Sequence, residues 1–230
     1  MRAFVAKQIE NMNELTLDKL TINPFLVRAL NYNTPEEIVE FCVNQRLQRS
    51  AATAFGSLIE KKVVKLFAES AKIPDIDLKF KRNGEAYYMQ MKSGPEGFTG
   101  PALTKTVETM EKLKQKDPHC HTVVAFAYGT PAKVSKVWGS ILDGAVKEGK
   151  VDKVLVGRAF WKFVLEDPDG YKVILDLFEK AGLAETVTLS GERRTLEKAR
   201  REAYERILEE FKKRYGEGPE AIQRMIEDNV

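Results

Sequence analysis

The sequence predicts a mixed α/β fold, and three observations carry that prediction. Apolar residues alternate with period two on both sides of Asn83-Gly84, the mark of a β-hairpin. Two short, nearly continuous apolar runs follow, His121–Tyr128 and Val151–Val156, as expected of strands covered on both faces. Elsewhere the apolar spacing is helical. Helix, hairpin, helix, strand, helix, strand gives a central mixed β-sheet flanked by helices, here with helical N-terminal and C-terminal segments.

Taken in order, the first helix signal is Thr34-Pro35-Glu36-Glu37: Thr34 as N-cap, Pro35 at the first helical position and Glu37 closing a capping box. Ile38, Phe41 and Cys42 continue it. A second helical pattern, Thr53 to Ala71, sets Phe55, Leu58, Ile59, Val63, Leu66 and Phe67 along one stripe, and Pro74 disfavours its continuation. Strands Asp75 to Lys81 and Ala86 to Ser93 form the hairpin. A Gly/Pro loop over 94–101 leads into a helix, Ala102 to Lys116. After the His121 strand come a helix, Lys133 to Glu148, and the Val151–Val156 strand. Beyond Gly157 the chain reads as helical over Ala159 to Leu165, Gly170 to Ala181, Arg194 to Tyr215 and Pro219 to Glu227. The expected organisation is a helical segment over 1–50, a core over 51–190 and C-terminal helices over 191–230.

Composition narrows the function classes. The 230 residues are 43% hydrophobic and 31% charged, as in a soluble globular protein rather than a disordered chain. The longest apolar runs are too short to span a bilayer, and the first ten residues carry no secretory signal, so the expected location is the cytoplasm. Cys42 and Cys120 form no CxxC or Cys/His metal pattern. His119 and His121 flank Cys120, but alternation along a strand points the three to opposite faces. A net charge of +3 imposes no basic field. The local basic clusters, Arg46/Arg49, Lys61/Lys62/Lys65 and Arg193 to Arg206, have acids in or near them and also read as solvated helix faces.

The hairpin reads in register. With Asn83 and Gly84 as the turn, Phe80 faces Tyr87, Leu78 faces Met89 and Ile76 faces Met91, six large apolar residues on one face. On the other, Lys79 faces Tyr88, Asp77 faces Gln90 and Asp75 faces Lys92. Carboxylate and amide oxygens are hard ligands suited to Mg²⁺, and a lysine ammonium beside them can stabilise charge as phosphorus is attacked. The plainer alternative is a solvated hairpin face with an Asp75–Lys92 salt bridge.

Pro74-Asp75-Ile76-Asp77 followed by Gln90-Met91-Lys92 resembles the PD-(D/E)xK signature of restriction-type nucleases, in a QxK variant. Lys92-Ser93-Gly94-Pro95 resembles the segment after the lysine in some type II restriction endonucleases. The helix carrying Gly56 and Glu60, and the segment Val154 to Trp161, also resemble parts of such enzymes. The resemblance covers roughly Phe55 to Leu165. It implies a restriction-endonuclease-like fold and Mg²⁺-dependent, sequence-specific hydrolysis of double-stranded DNA. Asp77 becomes the principal metal ligand, Gln90 the second, Lys92 the catalytic lysine and Glu60 a further metal or supporting acid. Asp75 is the alternative to Asp77, which is preferred because it faces Gln90. Glutamine departs from the usual acid and brings no charge, so metal affinity leans on Asp77 and Glu60.

The resemblance also implies a homodimer, since a two-fold protein reads a two-fold site. Arg46 and Arg49, with Gln45 and Gln48, are candidate base readers; Lys105, Arg158 and Lys162 are candidate phosphate contacts. Each has the alternative of a surface charge. Two further functions stay open: a structure-specific repair or junction nuclease of the same fold, and a DNA-binding domain without catalysis.

Overall fold

The computed structural model describes residues 2–59, 74–184, 187–189 and 192–230. The chain divides into two compact units, one made of residues 1–54 with 178–230, the other of residues 55–177.

The first unit is mainly helical. Helices α1 (Arg2–Asn13), α2 (Pro24–Ala29), α8 (Leu196–Tyr215) and α9 (Pro219–Asp228) join most of α3 (Pro35–Leu58). The predicted capping box is present. The Glu37 amide donates to Thr34 Oγ1 at 3.2 Å, and the Thr34 amide donates to Glu37 Oε2 at 3.0 Å. No glycine or further proline interrupts α3 before Gly56, so it runs through Thr53 where a second helix was expected to begin. Apolar residues of α8 at helical spacing are buried: Ala199, Ala203, Ile207 and Phe211 are fully covered by Ile9 and Met12 of α1, Ile38 of α3 and Met225 of α9, among others, with Leu196 partly buried beside them. α8 starts at Leu196 rather than Arg194, with Thr195 accepting from the Lys198 amide at 3.2 Å. Arg194 instead ends a small ribbon that the helical reading of this region missed, β5 (Val187–Leu189) with β6 (Glu192–Arg194).

The second unit holds the sheet, in order β1 (Leu78–Arg82), β2 (Glu85–Lys92), β3 (His121–Phe126) and β4 (Lys153–Val156). The hairpin pair is antiparallel; β2, β3 and β4 run parallel. α4 (Gly100–Lys116) and α5 (Pro131–Lys147) make the crossovers, each opened by a threonine cap and a proline in its first turn. α6 (Arg158–Leu165) follows β4, and α7 (Gly170–Ala184) leads out of the unit. This is the mixed α/β fold that the sequence predicts. Among the described residues no helix is long and apolar enough to cross a membrane.

Asn83 and Gly84 both have positive φ, 53° and 85°, the conformation of a type I′ turn. It sets the predicted register: Phe80 pairs with Tyr87, Lys79 with Tyr88 and Leu78 with Met89. The strand starts later than predicted, at Leu78 rather than Asp75. Asp75 takes a left-handed φ of 59°, and the Asp77 amide donates to Met89 O at 3.1 Å, out of step with the Leu78–Met89 pair. This slip corrects the expected pairing of Asp77 with Gln90, which the ladder does not contain, and the expected placement of Ile76, which packs with Tyr88, Val124 and Phe126 on the opposite face from Phe80 and Tyr87.

β2 is buried from Tyr87 to Met91. Side chains of Tyr88 and Val124 face Leu103, Val107 and Met110 of α4 and Val134 and Leu142 of α5. The other face carries Phe80, Tyr87 and Phe163 of α6 in mutual ring contact at 5.1–6.1 Å.

Candidate active site at the carboxyl end of the second strand

The residues singled out from the hairpin gather where β2 ends. Asp77 Oδ2 accepts from the Met91 amide at 2.9 Å, so the carboxylate takes a strand hydrogen bond between Gln90 and Lys92. The residue keeps solvent contact through the turn it sits in, but protein crowds its carboxylate. That burial pushes its pKa up, against the opposing pulls of the Met91 amide and the Lys92 charge.

Gln90 alternates onto the face that carries Tyr88, pairing with Val124 of β3. It is 6% exposed, and its Oε1 has no hydrogen-bond donor among the described residues. A buried amide oxygen without a partner costs about 1–3 kcal/mol, and an apolar residue there would avoid that cost. Lys92 is half-buried; its Nζ lies 5.3 Å from the Phe98 ring centroid and has no ion pair among the described residues. Gly97 packs on its stem: a Cβ there would fall 2.9 Å from the Lys92 Cβ. A hard carboxylate oxygen, an unsatisfied amide oxygen and an unpaired ammonium suit a small divalent cation and a phosphate. Among the described residues no cluster of three or more His, Cys, Asp or Glu could hold a metal; Glu60 lies outside them.

The other candidates are placed as follows. Asp75 pairs with Lys105 at 3.0 Å rather than with Lys92. Arg158 donates through Nε to Pro168 O at 3.3 Å, lies 3.6 Å from Asp169 and sits over Tyr171. Lys162 lines a cleft beside α6. Arg46 and Arg49 are exposed on α3, without ion pairs among the described residues.

What the sequence reading missed is the frame behind the lysine. The parallel ladder continues past Lys92, with Tyr128 N donating to Ser93 O at 2.9 Å. This lays the Tyr128 ring on Gly94, where a Cβ would fall 2.3 Å from Cζ. Gly129 (φ 111°) meets the Pro95 ring, and Gly157 (φ 52°) meets the Gly129 carbonyl oxygen at 2.7 Å from its would-be Cβ. The Trp138 indole donates to Pro95 O, and the Trp161 indole to Ala127 O at 2.8 Å. The signal was there in Tyr128-Gly129-Thr130-Pro131, a second Gly/Pro loop at the carboxyl end of a parallel strand, where open α/β sheets place their ligands.

A four-stranded mixed sheet with helices on both faces thus sets Asp77, Gln90 and Lys92 together at the carboxyl end of β2. The chain belongs to the family of the type II restriction endonuclease EcoO109I, whose family model matches residues 1–184. No individual curated protein matches the chain.

Proposed function

We propose that the protein is a Mg²⁺-dependent, site-specific endodeoxyribonuclease that acts as a homodimer on double-stranded DNA. Membership of a restriction endonuclease family supports a nuclease acting on duplex DNA. The observation that supports the site assignment is the buried Oε1 of Gln90, unpartnered among the described residues and two residues before Lys92 on the same strand face. Asp77, Gln90 and, from outside the described residues, Glu60 would hold the cation. Two free cysteines suit a reducing cytoplasm.

When bound, the cation supplies positive charge and Lewis acidity at the scissile phosphate. The chain's own residues do the rest. Water oxygen forms the new bond to phosphorus as the bond to the leaving sugar oxygen breaks. Lys92 donates to the developing negative charge, and the close-packed turn behind it fixes where its ammonium sits. Arg46 and Arg49 would read bases, while Lys105 and Arg158 would leave their present carboxylate partners for phosphates.

Incubation of plasmid and phage DNA with purified protein tests this reading. Discrete fragments with Mg²⁺ that disappear with EDTA are expected. A smear would point to a structure-selective nuclease, and intact DNA under every divalent metal would contradict the proposal.

A further inference from the structure

The face of the sheet turned away from Gln90 carries a basic cleft that the proposed chemistry does not use. Strand pairing sets the side: Lys153 pairs with Val123 and Leu155 with Ala125, in line with Met89 and Met91 rather than with Gln90. The cleft encloses about 530 Å³ between the hairpin end, β4 and α6. Arg82, Lys153 and Lys162 line it, against one carboxylate, Glu166.

Arg82 is held before any ligand arrives. Its Nε lies 3.0 Å from Glu166 Oε1, its Nη1 donates to Phe163 O at 2.8 Å, and its guanidinium stacks 4.4 Å from the Phe163 ring centroid. Of five N–H donors in a guanidinium, these two interactions leave the rest unused among the described residues. Lys153 and Lys162 are exposed and have no ion pair there. Phe163 has one face under Arg82 and its flanks against Phe80 and Tyr87, so it offers no free ring for a base to stack on. A fixed fork beside two exposed ammoniums, that of Lys153 5.8 Å from the Phe163 ring centroid, is chemistry for phosphate oxygens.

We propose that this cleft binds the phosphodiester backbone of a second segment of duplex DNA, on the sheet face opposite the candidate metal site. The inference rests on the duplex-DNA reading above but not on its metal chemistry. Lysine acetylation with mass-spectrometric readout, run on the full chain in EDTA with and without a long duplex, tests it. Lys153 and Lys162 are expected to become several-fold less reactive with DNA. A Lys153→Gln/Lys162→Gln variant, altered only at exposed positions, is expected to lower the salt slope of binding by about 2, since each phosphate that a lysine neutralises adds ~0.9 to that slope. Unchanged reactivity at both lysines while Lys92 is protected would overturn this inference alone. Absence of protection at all three would overturn it together with the DNA-binding reading.

Discussion

Two polar groups, the crowded carboxylate of Asp77 and the buried amide of Gln90, concentrate the chemistry at the scale of single residues. Asp77 has its pKa raised by burial, so ionising it costs stability. Its favourable contribution is complete below the unfolded carboxylate value near ~3.9 and is lost as pH rises through the folded value. Asp77→Asn should therefore leave the metal-free protein at pH 7 as stable as wild type or more so, since an amide oxygen can still accept from Met91. The same variant should abolish the rise in melting temperature on adding Mg²⁺, and wild-type Mg²⁺ affinity should increase with pH as the carboxylate ionises. Calorimetry with and without Mg²⁺ reads both effects; an equal Mg²⁺ shift in Asp77→Asn would remove that residue from the ligand set. Gln90 gives a complementary contrast. Gln90→Leu removes an unsatisfied oxygen and should be neutral or stabilising without metal, while cleavage falls by ~100-fold or more. Gln90→Glu buries a carboxylate with no donor and should destabilise the metal-free protein by about 1–3 kcal/mol, much of which Mg²⁺ restores. A Gln90→Leu enzyme with full activity would show that the orphaned oxygen has no role.

At the scale of elements, the three parallel strands end in glycines that let their loops touch. Gly157 combines a left-handed φ with a carbonyl oxygen 2.7 Å from its would-be Cβ, a backbone atom that cannot swing aside. Gly157→Ala should destabilise the protein by about 1–3 kcal/mol, measurable by urea denaturation. Gly94 differs, because the atom in its way is the tip of Tyr128. Gly94→Ala should cut cleavage by displacing the turn behind Lys92, and Tyr128→Ala should recover part of the loss; no recovery would place the damage elsewhere. These elements also mark how far the sequence could be read. Asn83-Gly84 admits one tight hairpin turn, so the register from Leu78 to Arg82 was legible. The slip at Asp75–Asp77 was not, because packing of Ile76 under α4 decides it rather than alternation. Burial of Gln90 was equally hidden, since it follows from β3 pairing alongside and from helices that cover both faces.

For the whole molecule, helices from both ends of the chain share one unit and the sheet lies in the other. Sequence periodicity identified α8 as a helix but not the partners of its buried face in α1, α3 and α9, some of which lie nearly two hundred residues away along the chain. Arg206 spans such a distance, donating to the carbonyls of Met12 and Leu15 at 2.9 Å. Truncating the centre of this core, Phe211→Ala, should cost about 3–5 kcal/mol, read as a lowered denaturation midpoint. The homodimer proposed from the two-fold logic of restriction sites should sediment near twice the 26.1 kDa of the chain. The most direct test of the central claim is cleavage of plasmid DNA in Mg²⁺ by Lys92→Ala and Asp77→Asn beside the wild type, with DNA binding measured on the same samples. Both variants are expected to bind DNA and to yield no fragments. Fragments persisting in either variant at the wild-type rate would contradict the assignment of the carboxyl end of β2 as the catalytic site.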